Sequence, residues 1–253
     1  MRINLNADLG ESFGPWTLGD DAAMLAIVDS ANIACGAHAG DPNVMRRTVH
    51  LAAANRVSIG AHPSFPDLQG FGRRVMPMPA TELENQIAFQ IGALAGIAAL
   101  EGAHLTHVKP HGALNNIACA DRAIADTICR AVKAIDARLI LLAPATSQLV
   151  VAGHAAGLKV IEEIFADRAY QANGELLPRS QPGAVLHDAA ECVAHVLAIL
   201  DAGALIAVDG TRLATAIGSI CVHGDNPHAV DVARAVRHAL TQAGHTLLPL
   251  SEM

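Results

Sequence analysis

Apolar and polar positions alternate over short stretches that recur along the chain, and most of these stretches are followed by a longer segment with helical spacing. In residues 2–7, Ile3, Leu5 and Ala7 alternate with Asn4 and Asn6, a period of two that predicts a strand. A short helix at 20–28, capped by Asp20 or Asp21, precedes a strand at 30–35. Asp41 before Pro42 is an N-cap with proline at the first helical position; it opens a helix over 42–55 that leads to a strand at 57–61. Thr81-Glu82-Leu83-Glu84 matches a capping box at the start of a helix reaching residue 101, with Gly92 and Gly96 on one face where close packing is expected. Thr106-His107-Val108-Lys109-Pro110-His111-Gly112 predicts a fourth strand ending near Pro110, which has no ladder donor. A helix at 121–135, a strand at 138–143, a helix at 146–156, a strand at 159–165 and a helix at 188–200 follow. Residues 204–208 and 211–215 predict two short strands around a type I′ turn at Asp209-Gly210. A strand at 218–222 and a helix at 226–243 complete the pattern.

Strands alternating with helices of this length imply a parallel sheet. Seven such strands plus a hairpin excursion predict an α/β fold, a single (β/α) barrel domain over 1–253 with seven staves rather than eight. An open doubly wound sheet is the alternative. No linker, composition break or internal repeat divides the chain. Two long loops stand out. Residues 64–74 hold Phe65, Phe71, Arg73 and Arg74 and read as a lid or binding loop, and residues 169–187 are rich in turn formers.

Composition narrows the function classes. A net charge of -7 without a basic run argues against nucleic-acid and anionic-membrane partners. Five cysteines, an odd number with no C-x-x-C pair, predict reduced thiols and a cytoplasmic protein. The chain starts without an export signal, and the apolar stretch 87–100 is shorter than a bilayer and holds Gln90. Thirteen histidines against five Phe, one Tyr and one Trp is the odd proportion.

In parallel α/β architecture, ligands bind at the carboxyl ends of the strands. Those ends carry Asp8 and Glu11, His38 and Asp41, His62, Lys109 and His111, Asp167 and Arg168, then His223 and Asp225. Any one of them alone would read as a cap or solvated loop residue, and the cap before Pro42 accounts for Asp41. Six strand ends of seven bearing ionisable groups predict a functional pocket. His50, His154, His195 and His238 fall on predicted helices and read as structural or solvated. Lys109 and His111, two apart, should face one space. Asp8 with several imidazoles suits general acid/base work or a divalent metal, and the metal case needs His38 and His62 to converge with a carboxylate. No H-E-x-x-H or cysteine framework enforces a tightly bound metal. Lys109 reads as a charge clamp for carboxylate or phosphate or, with a depressed pKa, a nucleophile. P-loop, dinucleotide and G-x-S-x-G motifs are absent.

Asn6-Ala7-Asp8-Leu9-Gly10-Glu11-Ser12-Phe13-Gly14, Cys35-Gly36-Ala37-His38-Ala39-Gly40-Asp41-Pro42, Gly60-Ala61-His62-Pro63, Asp67-Leu68-Gln69-Gly70-Phe71-Gly72-Arg73-Arg74, His107-Val108-Lys109-Pro110-His111-Gly112, Phe165-Ala166-Asp167-Arg168, Pro178-Arg179-Ser180-Gln181-Pro182-Gly183 and Cys221-Val222-His223-Gly224-Asp225 resemble, in order and over nearly the whole chain, the LamB/YcsF family. The resemblance implies a seven-stranded barrel similar to the glycoside hydrolase/deacetylase group. It also implies the activity of the A component of the bacterial ATP-hydrolysing 5-oxoprolinase, working with two other subunits, B and C. 5-Oxo-L-proline, ATP (with or without Mg2+) and water would give L-glutamate, ADP and phosphate. On this reading Asp8, His38, His62, Lys109 and His111 are catalytic, with Asp8 or His62 as base. Glu11, Arg73, Arg74, Asp167, Arg168, Arg179, His223 and Asp225 bind substrate. The chain departs from the family at Ala7, Ala37 and Asn115, where Cys, Phe and Tyr are usual. A stand-alone metal-dependent amidohydrolase or deacetylase and a non-catalytic scaffold are the rival readings.

Overall fold

The computed structural model describes residues 1–223 and 228–253. Six successive strands, β1 (Arg2–Leu9), β2 (Ser30–Ala34), β3 (Ser58–His62), β4 (His107–Val108), β5 (Ile140–Pro144) and β6 (Val160–Phe165), pair in parallel in chain order. The hairpin β7 (Ala204–Ile206) and β8 (Arg212–Ala214) stands apart from them. β9 (Ile217–His223) then inserts between β6 and β1, pairing with β1 from Asn4↔Ser219 to Asp8↔His223. That pairing closes seven parallel staves into a barrel and removes the open-sheet alternative. β10 (Thr246–Leu247) extends β1 at Arg2 and Ile3.

Helices α1 (Asp21–Leu25), α2 (Pro42–Ala54), α3 (Ala80–Leu100), α4 (Gly112–Ala120), α5 (Arg122–Ile135), α6 (Gln148–Ala156), α7 (Ala189–Ala202) and α8 (Ala229–Gln242) surround the staves. Asp41 caps α2 as expected, its Oδ1 accepting from Asn43 N and Val44 N at 2.8 and 3.2 Å. Several local expectations change. The capping box is not used: Pro79 enters α3 extended (φ -56, ψ 146), so Thr81 already lies inside the helix. α4, which the sequence pattern does not separate from the strand end, starts directly after His111. The Asp-Gly turn is not type I′, because Ala207 pairs with Thr211 and leaves three residues between them. Only Gly210 of these has positive φ (+85), the left-handed position of a three-residue hairpin loop. A Cβ on Gly92 or Gly96 would meet nothing within 4 Å, so neither permits a close approach. α3 is long and apolar enough to cross a membrane by length and composition, but its stripe of Leu83, Ile87, Ile91, Leu94 and Ala98 is buried in the main core.

The barrel interior is unusually polar. Ile3, Leu5, Ala7 and Leu9 of β1 belong to the main apolar core, while the alternate positions Asn4, Asn6 and Asp8 bond across the barrel to other staves. Asn6 Nδ2 donates to Ser219 Oγ (2.8 Å), and Asn32 Nδ2 donates to Asn6 Oδ1 and Asp8 Oδ1 (both 2.8 Å). His107 Nε2 donates to Asn32 Oδ1 (2.9 Å). Burial, reinforced by the charge on Lys109, holds His107 down to about 3, so this ring is neutral. Only glycine fits beside it: a Cβ on Gly60 would lie 2.1 Å from His107 Nε2. Each of these groups would cost about 1–3 kcal/mol if buried without its partner, so the network holds as a unit.

The opposite mouth is closed by the chain's own tail. Leu250 packs with Ile140, Leu142 and Ile161 in a small separate cluster, its N–H bonded to Ser30 Oγ at 3.2 Å. Asn4 Nδ2 donates to the Leu248 carbonyl and Ser251 N donates to Ser58 Oγ. With one mouth plugged, the carboxyl ends of the staves are where a ligand can enter.

Candidate active site

A cavity of about 670 Å³ opens at those carboxyl ends. Asp8, Glu11, His62, Lys109, His111 and His223 line its floor, and Arg73, Arg168 and Arg179 its loops. Lys109 and His111 share this space, as their spacing predicts. At the centre lies Lys109, 2% exposed, with Nζ 3.0 Å from Asp8 Oδ1, 3.2 Å from Glu163 Oε2 and 3.0 Å from Cys221 Sγ. Burial alone would discharge it, but Asp8, Cys221 and Glu163 outweigh burial and hold the amine well above its ordinary value. It is a fixed cation, and the nucleophile reading of Lys109 is corrected. Burial likewise pushes Asp8 up, and the His62 and Lys109 charges overcome it, keeping that carboxyl well below the usual range. Glu163 goes the other way: burial raises it in spite of Lys109, and its Oε1 has no hydrogen-bond partner.

Three histidines stand against this floor. His62 Nε2 lies 3.3 Å from Asp8 Oδ2, and its Nδ1 donates to the Lys109 carbonyl at 2.7 Å. His111 Nδ1 lies 3.0 Å from His62 Nε2, and its Nε2 donates to the Phe71 carbonyl at 2.9 Å. His38 sits behind, stacked on His111 with centroids 3.8 Å apart and Nε2 3.3 Å from Glu11 Oε1. Burial, then neighbouring imidazoles, hold His38 and His111 well below the ordinary value. The loop over them is shaped by strain. Phe71 (φ +54) and Thr146 (φ +65), two of the three non-glycine residues with positive φ among those described, both line the cavity. Gly72 (φ +64) could not carry a side chain, since its Cβ would come 2.2 Å from Ser64 Oγ and 2.8 Å from the His111 ring.

The remaining expected residues divide. His223 lines the cavity with Asp167 behind it, Nδ1 to Oδ1 at 2.7 Å. Asp167 is held low by His223 against the effect of burial, and His223 is held high by Asp167. Arg168 reaches the cavity but spends its donors on Leu177 and Ala184 carbonyls, pinning the 169–187 loop; burial lowers it to about 10. Arg73 sits over the Phe71 ring at 5.0 Å. Arg74 does not join them: it bonds Asp67, which knots the 64–74 loop, and its side chain is otherwise exposed. Its assignment to substrate binding is corrected accordingly. Asp225 lies outside the described residues. Glu163, Cys221, Asn32 and His107 complete the site, and strand-end reasoning does not single them out. For Asn32, His107 and Cys221 the signal is present in the polar residues two apart, Asn4/Asn6/Asp8, Ser30/Asn32, His107/Lys109/His111 and Ser219/Cys221/His223, whereas Glu163 is flanked two residues away by Ile161 and Phe165 and carries no such signal. Asn115, one of the departures from the family pattern, lines the cavity with Oδ1 unpartnered. The five thiols are free; burial pushes Cys35, Cys119 and Cys129 up to about 12, which suits reduced structural cysteines.

Fold and site together define a TIM-like barrel of seven staves whose carboxyl-end mouth gathers imidazoles, carboxylates and a buried ammonium. The chain belongs to the LamB/YcsF family, whose model matches residues 3–253. It is 59% identical over 253 residues to a protein of Azoarcus sp. (strain BH72) named as the A component of 5-oxoprolinase, covering 100% of this chain and 99% of that one. The crystal structure of a lactam utilization protein from Thermus thermophilus superposes with a TM-score of 0.92 at 44% identity, covering 98% of this chain and 99% of that one. The catalytic domain of a peptidoglycan N-acetylglucosamine deacetylase from Eubacterium rectale ATCC 33656 gives a TM-score of 0.52 at 11% identity, covering 98% and 87%. That likeness is one of fold alone, and it bears out the expected deacetylase-like barrel.

Proposed function

We propose that this chain is the A component of a cytoplasmic, ATP-dependent 5-oxoprolinase that opens 5-oxo-L-proline to L-glutamate together with the B and C subunits. The observation that carries the reading is Asp8, kept ionised by Lys109 on the floor of a cavity larger than one five-membered lactam fills. An unstrained lactam is a poor electrophile. Transfer of the γ-phosphoryl group of ATP to the lactam oxygen, with departure of ADP, creates a leaving group. Water then adds to the carbon bearing the phosphorylated oxygen, the C–N bond breaks with a proton delivered to nitrogen to leave the γ-glutamyl phosphate, and a second water hydrolyses that acyl phosphate to L-glutamate and phosphate. Asp8 Oδ2 takes the proton from water, since Oδ1 is occupied by Lys109 and Asn32. Arg73 and Arg179 neutralise substrate carboxylate or phosphoryl oxygens.

The test is 5-oxoproline-dependent ADP release by the complex reconstituted with the B and C subunits. Asp8→Ala and Lys109→Ala should each bring turnover below detection; wild-type rates in both would defeat the assignment. Turnover of 5-oxoproline by the isolated chain without ATP would favour the stand-alone amidohydrolase instead. A scaffold has no use for buried charges around a cavity, and retained turnover in the two variants is what it predicts.

A further inference from the structure

Two histidines at the cavity floor face each other, His62 Nε2 lying 3.0 Å from His111 Nδ1. His62 Nδ1 and His111 Nε2 each point at a backbone carbonyl, at 2.7 and 2.9 Å. A carbonyl oxygen only accepts, so those nitrogens carry protons, and the facing pair, His62 Nε2 and His111 Nδ1, is what remains to hold a cation. Asp8 Oδ2 stands beside this pair, 3.3 Å from His62 Nε2. A gap ringed by two imidazole nitrogens and carboxylate oxygens holds positive charge, as a shared proton or as a metal ion.

Glu11 Oε1 faces the same gap, 3.5 Å from His111 Nδ1 and within 4.8 Å of a ring nitrogen of His62. Ligands held 2.0–2.1 Å from a tetrahedral zinc ion stand roughly 3.3 Å from one another, and the two separations at His111 Nδ1, 3.0 and 3.5 Å, match the edges of such a site. The carbonyl partners complete the pattern, because a metal-bound imidazole ordinarily donates its other N–H to a carbonyl or carboxylate. We propose that Glu11, His62 and His111 hold a divalent transition-metal ion of the zinc class, with its remaining position open to the cavity. His38 is outside the ligand set: its plane lies 6° from that of His111 at 3.8 Å, so an ion in the plane of one ring is out of the plane of the other. It orients Glu11 through Nε2. The neighbouring Asp8, Cys221 and His223 group takes no ion, since the Lys109 ammonium is already 3.0 Å from both Asp8 Oδ1 and Cys221 Sγ. Such an ion supplies positive charge where a substrate oxygen can be polarised.

The test uses the full chain, stripped with a chelator and titrated with Co2+ or Zn2+, reading visible Co2+ absorption and metal content after gel filtration. One ion per chain is expected, with Zn2+ displacing Co2+. Glu11→Gln and His111→Gln should weaken binding by more than about 100-fold, and His38→Ala by about 10–100-fold, the usual loss when a group orienting a ligand is removed. Cys221→Ser should bind as the wild type does, and thermal melts check that each variant is folded. A wild-type chain that retains neither metal stoichiometrically overturns the proposal, and so does full affinity in folded His111→Gln. A strongly deshielded imidazole proton persisting in excess Zn2+ would mark a shared proton as the bridging cation, and would equally overturn it.

Discussion

Lys109 sits with its ammonium among two carboxylates and a thiol, and each partner offsets part of the cost of burying the others. Lys109→Met leaves Asp8 and Glu163 uncompensated and should destabilise the fold by about 3–5 kcal/mol, read from urea unfolding. Adding Glu163→Gln removes one stranded charge, so the double variant should regain part of that loss; strictly additive effects would show that the two side chains are not coupled. The Asp167–His223 pair predicts a pH signature. A lowered carboxyl contributes stability above its unfolded pKa of about 3.9, and this is lost as pH falls through the folded value. A raised imidazole contributes below its unfolded pKa of about 6.5, and this is lost as pH rises through the folded value. Given the directions of the two shifts, the stability difference between wild type and His223→Gln should be greatest between about pH 4 and 6.5. A difference constant from acid to alkaline pH would contradict the pairing.

At the level of elements, glycines distinguish a packed stave from an open helix face. Gly60 on β3 gives its missing side chain's space to the His107 ring of β4, 2.1 Å from where a Cβ would be. Gly60→Ala should cost at least about 1–3 kcal/mol from overpacking, with further loss as His107 leaves Asn32. Gly92 on α3 meets nothing, so Gly92→Ala should stabilise by up to about 1 kcal/mol through helix propensity. Thermal unfolding of both variants checks the contrast, and shifts of the same sign would refute it. Helix starts marked by Asp41, Asp121 and Asp188 were readable, since an N-cap acts within three residues. The entry to α3 and the start of α4 were not. There Pro79 and a backbone bond from Ala113 N to the Gly72 carbonyl replace side-chain caps, and the second contact joins segments about 40 residues apart.

For the molecule as a whole, the tail matters as much as the mouth. Leu250, 1% exposed, seals the far end against Ile140, Leu142 and Ile161. Leu250→Ala should cost about 2–5 kcal/mol, measured by urea unfolding, and a near-zero effect would deny the plug. Periodicity and caps were enough to predict seven parallel strands alternating with helices, because both act over a few residues, and they left the closed barrel and the open doubly wound sheet as alternatives. They also established that ionisable groups collect after the strands, among them Asp8, His62, Lys109 and His223. A period of two separates the faces of a strand without saying which one meets the barrel axis. Only closure of β9 onto β1 turned Asn6, Asp8 and Cys221 inward together, and only then could Lys109 be buried beside Glu163 and stay charged. The same closure set His62 and His111 nitrogen to nitrogen, a relation between residues 49 apart that no local pattern encodes.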